Sequence, residues 1–129
     1  MTETGPLHES ILTTVKKNLG IMESVTAYDP DLVILINGAF FKLHQMGVGP
    51  DVPFRIEDDS ATWDDFCEEG TLDLVKPYIF LEVRMVFDPP TASVLSSMEK
   101  VKAEYEWRLN VADDQLLFKD DQNGTDPDE

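Results

Sequence analysis

The stretch VRMVFDPPTASVL, residues 83–95, decides the architecture of the chain. It joins a nearly all-apolar segment to a long charged one within three residues. The Asp-Pro pair at 88–89 stops the first segment, because proline cannot donate the backbone hydrogen bond of a continuing helix. Asp88 or Thr91 can cap the helix that follows. The sequence therefore predicts two helices, over 72–87 and about 90–112, separated by a sharp corner.

These two segments differ in the apolar surface that they offer. The segment 72–87 is apolar on two faces, which predicts burial on more than one side, and Pro77 within it predicts a kink or a late start. The last helix has a single apolar stripe opposite a charged face. At about 1.5 Å per residue it would be about 34 Å long, which is more than a small bundle needs. Its stripe consists of Val94, Met98, Val101, Tyr105, Leu109 and Ala112.

The Asp-Pro pair recurs at 29–30 and predicts another helix, with Asp29 as N-cap and Pro30 in the first turn. Gly47, Gly49 and Pro50 end this helix. Its apolar residues exceed one face, which predicts burial on more than one side. The main stripe contains Leu32, Ile36, Ala39 or Phe40, Leu43 and Met46 or Gly47, while Val33, Ile34 and Phe41 lie beside it.

Shorter elements complete the chain. Ser10 caps a helix through about residue 19, and Thr62 with Asp65 resembles the capping box of a short helix. The sequence predicts a mainly α fold: a small helical bundle of three main helices plus a short helix, with an extended arm and a flexible acidic C-terminal tail. Residues 1–112 form the helical domain and 113–129 the acidic extension.

Composition limits the function. The 129 residues carry a formal net charge of −16, and residues 113–129 contain seven acidic residues and one lysine. Broad binding to a phosphate backbone requires clustered Lys and Arg, so such binding is not expected. With one cysteine, Cys67, no intramolecular disulfide is possible. We expect no signal peptide and no membrane span, and therefore synthesis in the cytoplasm.

Catalytic and metal-binding patterns are weak. The acidic stretch 57–69 fits a calcium loop at several positions, but Trp63 occupies the position where the sharp turn needs glycine, so we expect a solvated acidic loop. His8, His44 and Cys67 have no neighbours typical of a catalytic group, and no nucleotide or nucleophile motif occurs. The sequence predicts no enzyme activity, no cofactor and no metal site.

An ordered set of segments resembles the head–tail connector (adaptor) proteins of long-tailed double-stranded DNA bacteriophages. The segments are ILTTVKKNLGI, YDPDLVILINGAFFKLHQMGVGP, ATWDDF, VKPYIFLEVRMVFDPPTASVLSSM and EYEWRLNVA, and they span about residues 10–112. The resemblance implies a ring subunit, in about twelve copies, that docks under the portal protein after DNA packaging. It further implies a virion protein at the head–tail junction that extends the DNA channel, without specific DNA binding, and carries a stopper or tail-completion protein.

Two sets of residues are candidates for contacts in such a ring. Phe54, Ile56 and Trp63 are large apolar residues in the short acidic arm 51–66, and we expect them to pack on a neighbouring subunit. Trp107 lies off the main stripe of the last helix, and an apolar series continues beyond it. We expect this series to contact the portal; it consists of Trp107, Val111, Leu116, Leu117 and Phe118.

The charge also permits a second function. An acidic protein can mimic DNA and inhibit a nucleic-acid-binding host protein. Such a mimic should space carboxylates along an exposed surface as phosphates are spaced, whereas the acidic residues here crowd the loops and the tail. The connector function is therefore the first hypothesis and the mimic the alternative.

Overall fold

Four α-helices and one turn of 3-10 helix build the fold. The computed structural model describes residues 8–67 and 69–125, with the backbone alone for 69 and 112–125. The predicted mainly α class, with its short helix and extended loop, is confirmed, and no β-strand forms in these two ranges. The helices are α1 (Ile11–Asn18), α2 (Asp29–Gln45), a 3-10 helix (Trp63–Asp65), α3 (Glu69–Phe87) and α4 (Ala92–Thr125).

The first helix begins and ends as its sequence predicts. The Ser10 hydroxyl accepts a hydrogen bond from the Thr13 N–H at 3.2 Å, which satisfies one of the free donors of the first turn. Gly20 follows with a φ of +79°, a left-handed conformation that glycine adopts without steric cost.

The second helix begins one residue earlier than predicted. Tyr28 is the N-cap residue and Asp29 is the first helical residue, so the prediction of Asp29 as N-cap is wrong. The physical reason is Lys16, whose side chain is only 3% exposed. Its ammonium lies 2.9 Å from the Asp29 carboxylate and donates to the Glu23 carbonyl at 3.0 Å. A buried charge requires such partners, so Asp29 pairs with Lys16 instead of capping its own helix.

The third helix is central, since it packs against both α2 and α4. It begins at Glu69 rather than 72, so Pro77 lies inside it and does not delay its start. The corner that follows ends α3 with a bond from the Asp88 N–H to the Arg84 carbonyl. The Leu95 N–H then donates to the Thr91 carbonyl at 2.8 Å, so Thr91 directly precedes α4, as predicted for a cap.

The core lies between α1, α2 and α3, and α4 extends beyond it. The stripe predicted for α2 is buried, whereas Leu109 is the one fully buried apolar residue of α4 among its described side chains. The 34 residues of α4 span about 51 Å, against about 28 Å for the 19 residues of α3. The helix continues past 112, where the sequence places its end. Buried α2 residues are Leu32, Ile36, Ala39, Phe40 and Leu43.

Candidate interaction surfaces

The arm 51–66 is anchored in the chain's own core. Ile56 and Trp63 are buried in the core of the single chain, and Phe54 is half-buried. The Phe54 ring packs edge-on against Phe40 of α2, with ring centroids 4.9 Å apart. The expectation that all three side chains pack on a neighbour is corrected for Ile56 and Trp63, because α2 already covers the arm. Phe54 retains exposed surface.

The end of the arm is held by α1. The indole N–H of Trp63 donates to the Thr14 hydroxyl at 2.9 Å, which satisfies the polar atom of a fully buried side chain. The Ile11 N–H donates to the Ala61 carbonyl at 3.0 Å. The arm is therefore part of the folded subunit rather than a free extension.

Asn37 of α2 holds the middle of the arm. Its carbonyl oxygen accepts from the Ile56 N–H at 2.7 Å, and its amide nitrogen donates to the Ile56 carbonyl at 3.0 Å. One side chain thus satisfies both backbone groups of Ile56, as a neighbouring strand would. This pairing fixes the position of Arg55 beside α2.

One side of α2 carries exposed apolar residues. Ile34 and Phe41 are 68% and 50% exposed and lie two turns apart on the side opposite the core, with Gly38 between them. Together with Arg55 of the arm they form the surface called here the α2 face. Its centre is a cleft of about 380 Å³ that Asn37 also lines.

Trp107 is exposed on α4, as expected of an interface residue. It is 66% exposed, and it lies two residues from the buried Leu109 and therefore on the opposite side of the helix. Val111 is half-buried. The backbone at 116–118 belongs to α4, while the side chains of Leu116, Leu117 and Phe118 lie outside the described residues. The portal contact therefore stays a prediction.

An apolar groove of about 320 Å³ separates α3 from α4. Phe80 and Leu81 of α3 face Met98 and Tyr105 of α4 across it. Arg84 also lines the groove, and its Nε is buried with no hydrogen-bond partner among the described residues. The groove therefore leaves part of the α3–α4 contact open.

A charged cluster ties the three long helices together. Glu82 of α3 lies 2.9 Å from both Lys42 of α2 and Lys102 of α4. Burial raises the pKa of Glu82, but hydrogen bonds from the two lysines outweigh burial and leave the pKa below its usual value. Burial, followed by the charge of Glu82, raises the pKa of Tyr78, whose hydroxyl donates to Glu106 at 3.0 Å.

In the described part of the acidic stretch, residues 57–67, carboxylates help to form turns. Asp58 accepts from both the backbone and the hydroxyl of Ser60, and these bonds hold its pKa below the usual value. Asp64 accepts from the Thr62 hydroxyl, which lowers its pKa in the same way. In the part of the chain that the structure describes, no three potential metal ligands come together. The geometry therefore gives the loop a structural role.

The histidines and the cysteine lie in separate environments. His8 is exposed, with its Nδ1 3.5 Å from Asp64. His44 is half-buried beside the Phe41 ring. Cys67 is half-buried near the start of α3.

Sequence reasoning missed the polar residues that fix the fold, namely Asn37, Glu82 and Lys16. Asn37 and Glu82 each interrupt an otherwise apolar helix, and a polar residue inside such a stripe is the signal that could have identified them. Lys16 lies in the last turn of α1, where a positive charge interacts favourably with the helix dipole, so its position has a local explanation that does not involve burial. Its burial depends on the loop 21–28 folding over it, which no local pattern encodes.

Residues 11–115 match the family model of the phage connector proteins, described as "Phage connector protein". The chain belongs to this family. The match runs from the start of α1 well into α4 and confirms the resemblance to head–tail connectors. As a phage connector, the protein is a structural component of the virion that interacts with other phage head or tail proteins. No curated protein and no solved structure matches the chain. No described helix is both long and apolar enough to cross a membrane.

Proposed function

We propose that this phage connector is the subunit of a neck ring that docks under the portal after DNA packaging. The ring extends the DNA channel and carries the stopper or tail-completion protein. The match to the connector family over residues 11–115 is the observation that carries the proposal. Twelve copies would match the symmetry expected of the portal.

Exposed apolar side chains support assembly with other proteins. Ile34 and Phe41 on α2, and Trp107 on α4, lie on two helices and remain exposed although the subunit has a complete core. Exposed apolar surface of this kind marks protein–protein contacts. Two separate surfaces allow each subunit to bind more than one neighbour.

The acidic charge suits a channel through which DNA slides. With a net charge of −16 and no run of more than two basic residues, the subunit repels a phosphate backbone rather than holding it. The DNA-mimic alternative is less well supported, because several acidic side chains make ion pairs or hydrogen bonds within the subunit. Glu82 and Asp29 pair with lysines, and Asp58 and Asp64 cap turns.

The C-terminal part of α4 is the proposed portal contact. Among the described side chains, Leu109 is the last buried one, and the apolar positions 111 and 116–118 follow it in the sequence. We expect Trp107 and Val111, continued by Leu116, Leu117 and Phe118, to fold against the portal.

Deletion of residues 113–129 tests this contact. The truncated protein should melt within about 2 °C of the full chain, because the described core ends at Leu109, before the deleted residues. It should no longer join portal-bearing capsids, whereas the full protein should form rings there in electron micrographs. Deletion of 119–129 is the matched control, since it removes five acidic residues and keeps 116–118. A truncated protein that binds capsids normally, or that melts far lower, would contradict the assignment.

A further inference from the structure

The α2 face has the composition of a contact surface, although it packs against nothing in the subunit. The core residues of α2 occupy one side of the helix, and Ile34, Gly38 and Phe41 occupy the other. Their spacing of four and three residues aligns them over two turns. A helix of a small monomeric protein normally places polar residues there.

Gly38 lies in the middle of this face and has no role inside the subunit. Its φ is not positive, and a Cβ added to it would meet no atom within 4 Å. Glycine inside a helix costs about 1 kcal/mol relative to alanine. Neither the backbone conformation nor packing within the subunit requires glycine at this position. What the glycine does provide is a notch between Ile34 and Phe41 that lets another helix approach the α2 backbone closely.

Arg55 determines which charge a binding partner should carry next to the Gly38 notch. It lines the cleft and is exposed, held in place by the pairing of Asn37 with Ile56. It forms no ion pair with any described residue, although the chain has 26 acidic residues against 10 basic ones. The partner should therefore present a narrow apolar surface next to a carboxylate.

The first half of α4 presents such a surface. Val94, Ser97, Val101 and Glu104 are all exposed and follow one another at intervals of three, four and three residues. Val101 also lines the edge of the groove between α3 and α4. Two valines flank a small serine, and the Glu104 carboxylate, which also accepts a hydrogen bond from Arg108 of its own helix at 2.7 Å, lies at one end of the row. Trp107 is about 140° around the helix from Val94 but only about 60° from Glu104, so it borders the row at its Glu104 end.

We infer that the α2 face binds the Val94–Glu104 row of α4 on a second copy of this chain, with Arg55 opposite Glu104. This inference rests on the proposed neck ring and names the contact that joins its subunits. Because the two surfaces differ, the contact is head-to-tail and repeats from subunit to subunit until the ring closes. A two-fold pairing of α2 faces would instead bring a second Arg55 into the same contact.

Gly38→Leu provides the main test, because it should leave the stability of the subunit unchanged or increased while it weakens ring assembly. Leucine favours the helix and has open space, so the variant subunit should melt no lower than the wild type. The same side chain fills the notch, so ring formation on portal-bearing capsids should need at least about tenfold more protein. Met22→Asp is the control: Met22 is 69% exposed, about as much as Ile34, and lies in the loop before α2, so its assembly should be unchanged.

A charge exchange tests the partner surface. Arg55→Glu and Glu104→Arg should each weaken ring formation about tenfold, and the chain carrying both changes should return to within about threefold of wild type. If the wild type forms rings and Gly38→Leu assembles as well as the wild type, the inference is wrong and the proposed function still stands. Loss without recovery in the double variant would reject the α4 row as the partner. If the wild type forms no ring on capsids, the proposed function itself fails.

Discussion

Asn37→Ala should destabilise the subunit through the arm. Asn37 makes two hydrogen bonds to the backbone of Ile56, at 2.7 and 3.0 Å, and the Ile56 side chain is buried. Each bond contributes about 0.5–1.5 kcal/mol, and leaving the two backbone groups unpaired increases the loss. Alanine returns about 0.5 kcal/mol through its better helix propensity. The expected net loss is about 2 kcal/mol of unfolding free energy.

This loss is large enough to measure in two ways. For a chain of this size, about 2 kcal/mol corresponds to a fall in melting temperature of about 6–10 °C. In addition, hydrogen exchange at the Ile56 amide should accelerate about 10- to 100-fold, because its acceptor is gone. Exchange at Ile36, inside α2, should change less if the arm opens separately.

Asn110→Ala is the matched control for this experiment. Asn110 is also an asparagine within a helix, but it is exposed, and its side chain makes no hydrogen bond to the described residues. Its replacement should leave the melting temperature unchanged or slightly raised. A melting temperature of Asn37→Ala within about 2 °C of wild type would show that the arm is held by its apolar side chains alone.

Two further predictions concern a glycine and the charged cluster. Gly49→Ala should lower the free energy of unfolding, measured in urea, by about 1–3 kcal/mol, because Gly49 has a φ of +99° and an added Cβ would lie 2.6 Å from the Phe66 ring. Gly38→Ala is the control and should raise the free energy of unfolding by about 0.5–1 kcal/mol. Equal effects of the two substitutions would contradict this explanation. The depressed pKa of Glu82 means that its ion pairs stabilise the fold above its unfolded pKa, and that this stability is lost as pH falls through the lower folded value. The difference in unfolding free energy between wild type and Glu82→Gln should thus be constant from pH 8 to about 5.5 and shrink below about pH 4.5. Glu104→Gln is the control: its site is exposed, so its stability should differ little from wild type at any pH. A difference for Glu82→Gln that grew on acidification would contradict the assignment.

Periodicity predicted the helices well because it reports which side of each helix is apolar. The buried stripe of α2 from Leu32 to Leu43 and the capping box at Thr62 follow from local spacing alone. Helix ends were less accurate, since α3 begins at Glu69 rather than 72 and α4 continues past 112. Helix ends depend on weak competing terms that spacing does not measure.

The arm could not be placed from sequence because its partners are distant along the chain. Trp63 bonds to Thr14, and Ile56 bonds to Asn37, 19 residues before it. A short acidic loop with three large apolar residues is equally compatible with a neighbour's surface and with its own core. Only the fold shows that Ile56 and Trp63 fit into the core beside α1 and α2, and that Arg55 rather than Ile56 faces outward.

The charged cluster gives the two proposed contact surfaces a fixed relative position. Glu82 binds Lys42 of α2 with one oxygen and Lys102 of α4 with the other, both at 2.9 Å. The α2 face lies on the first of these helices and the Val94–Glu104 row on the second. In a head-to-tail ring, the angle between these two surfaces within one subunit determines how many subunits close the circle. Glu82 therefore constrains this angle in addition to the packing of α2 and α4 on the two sides of α3.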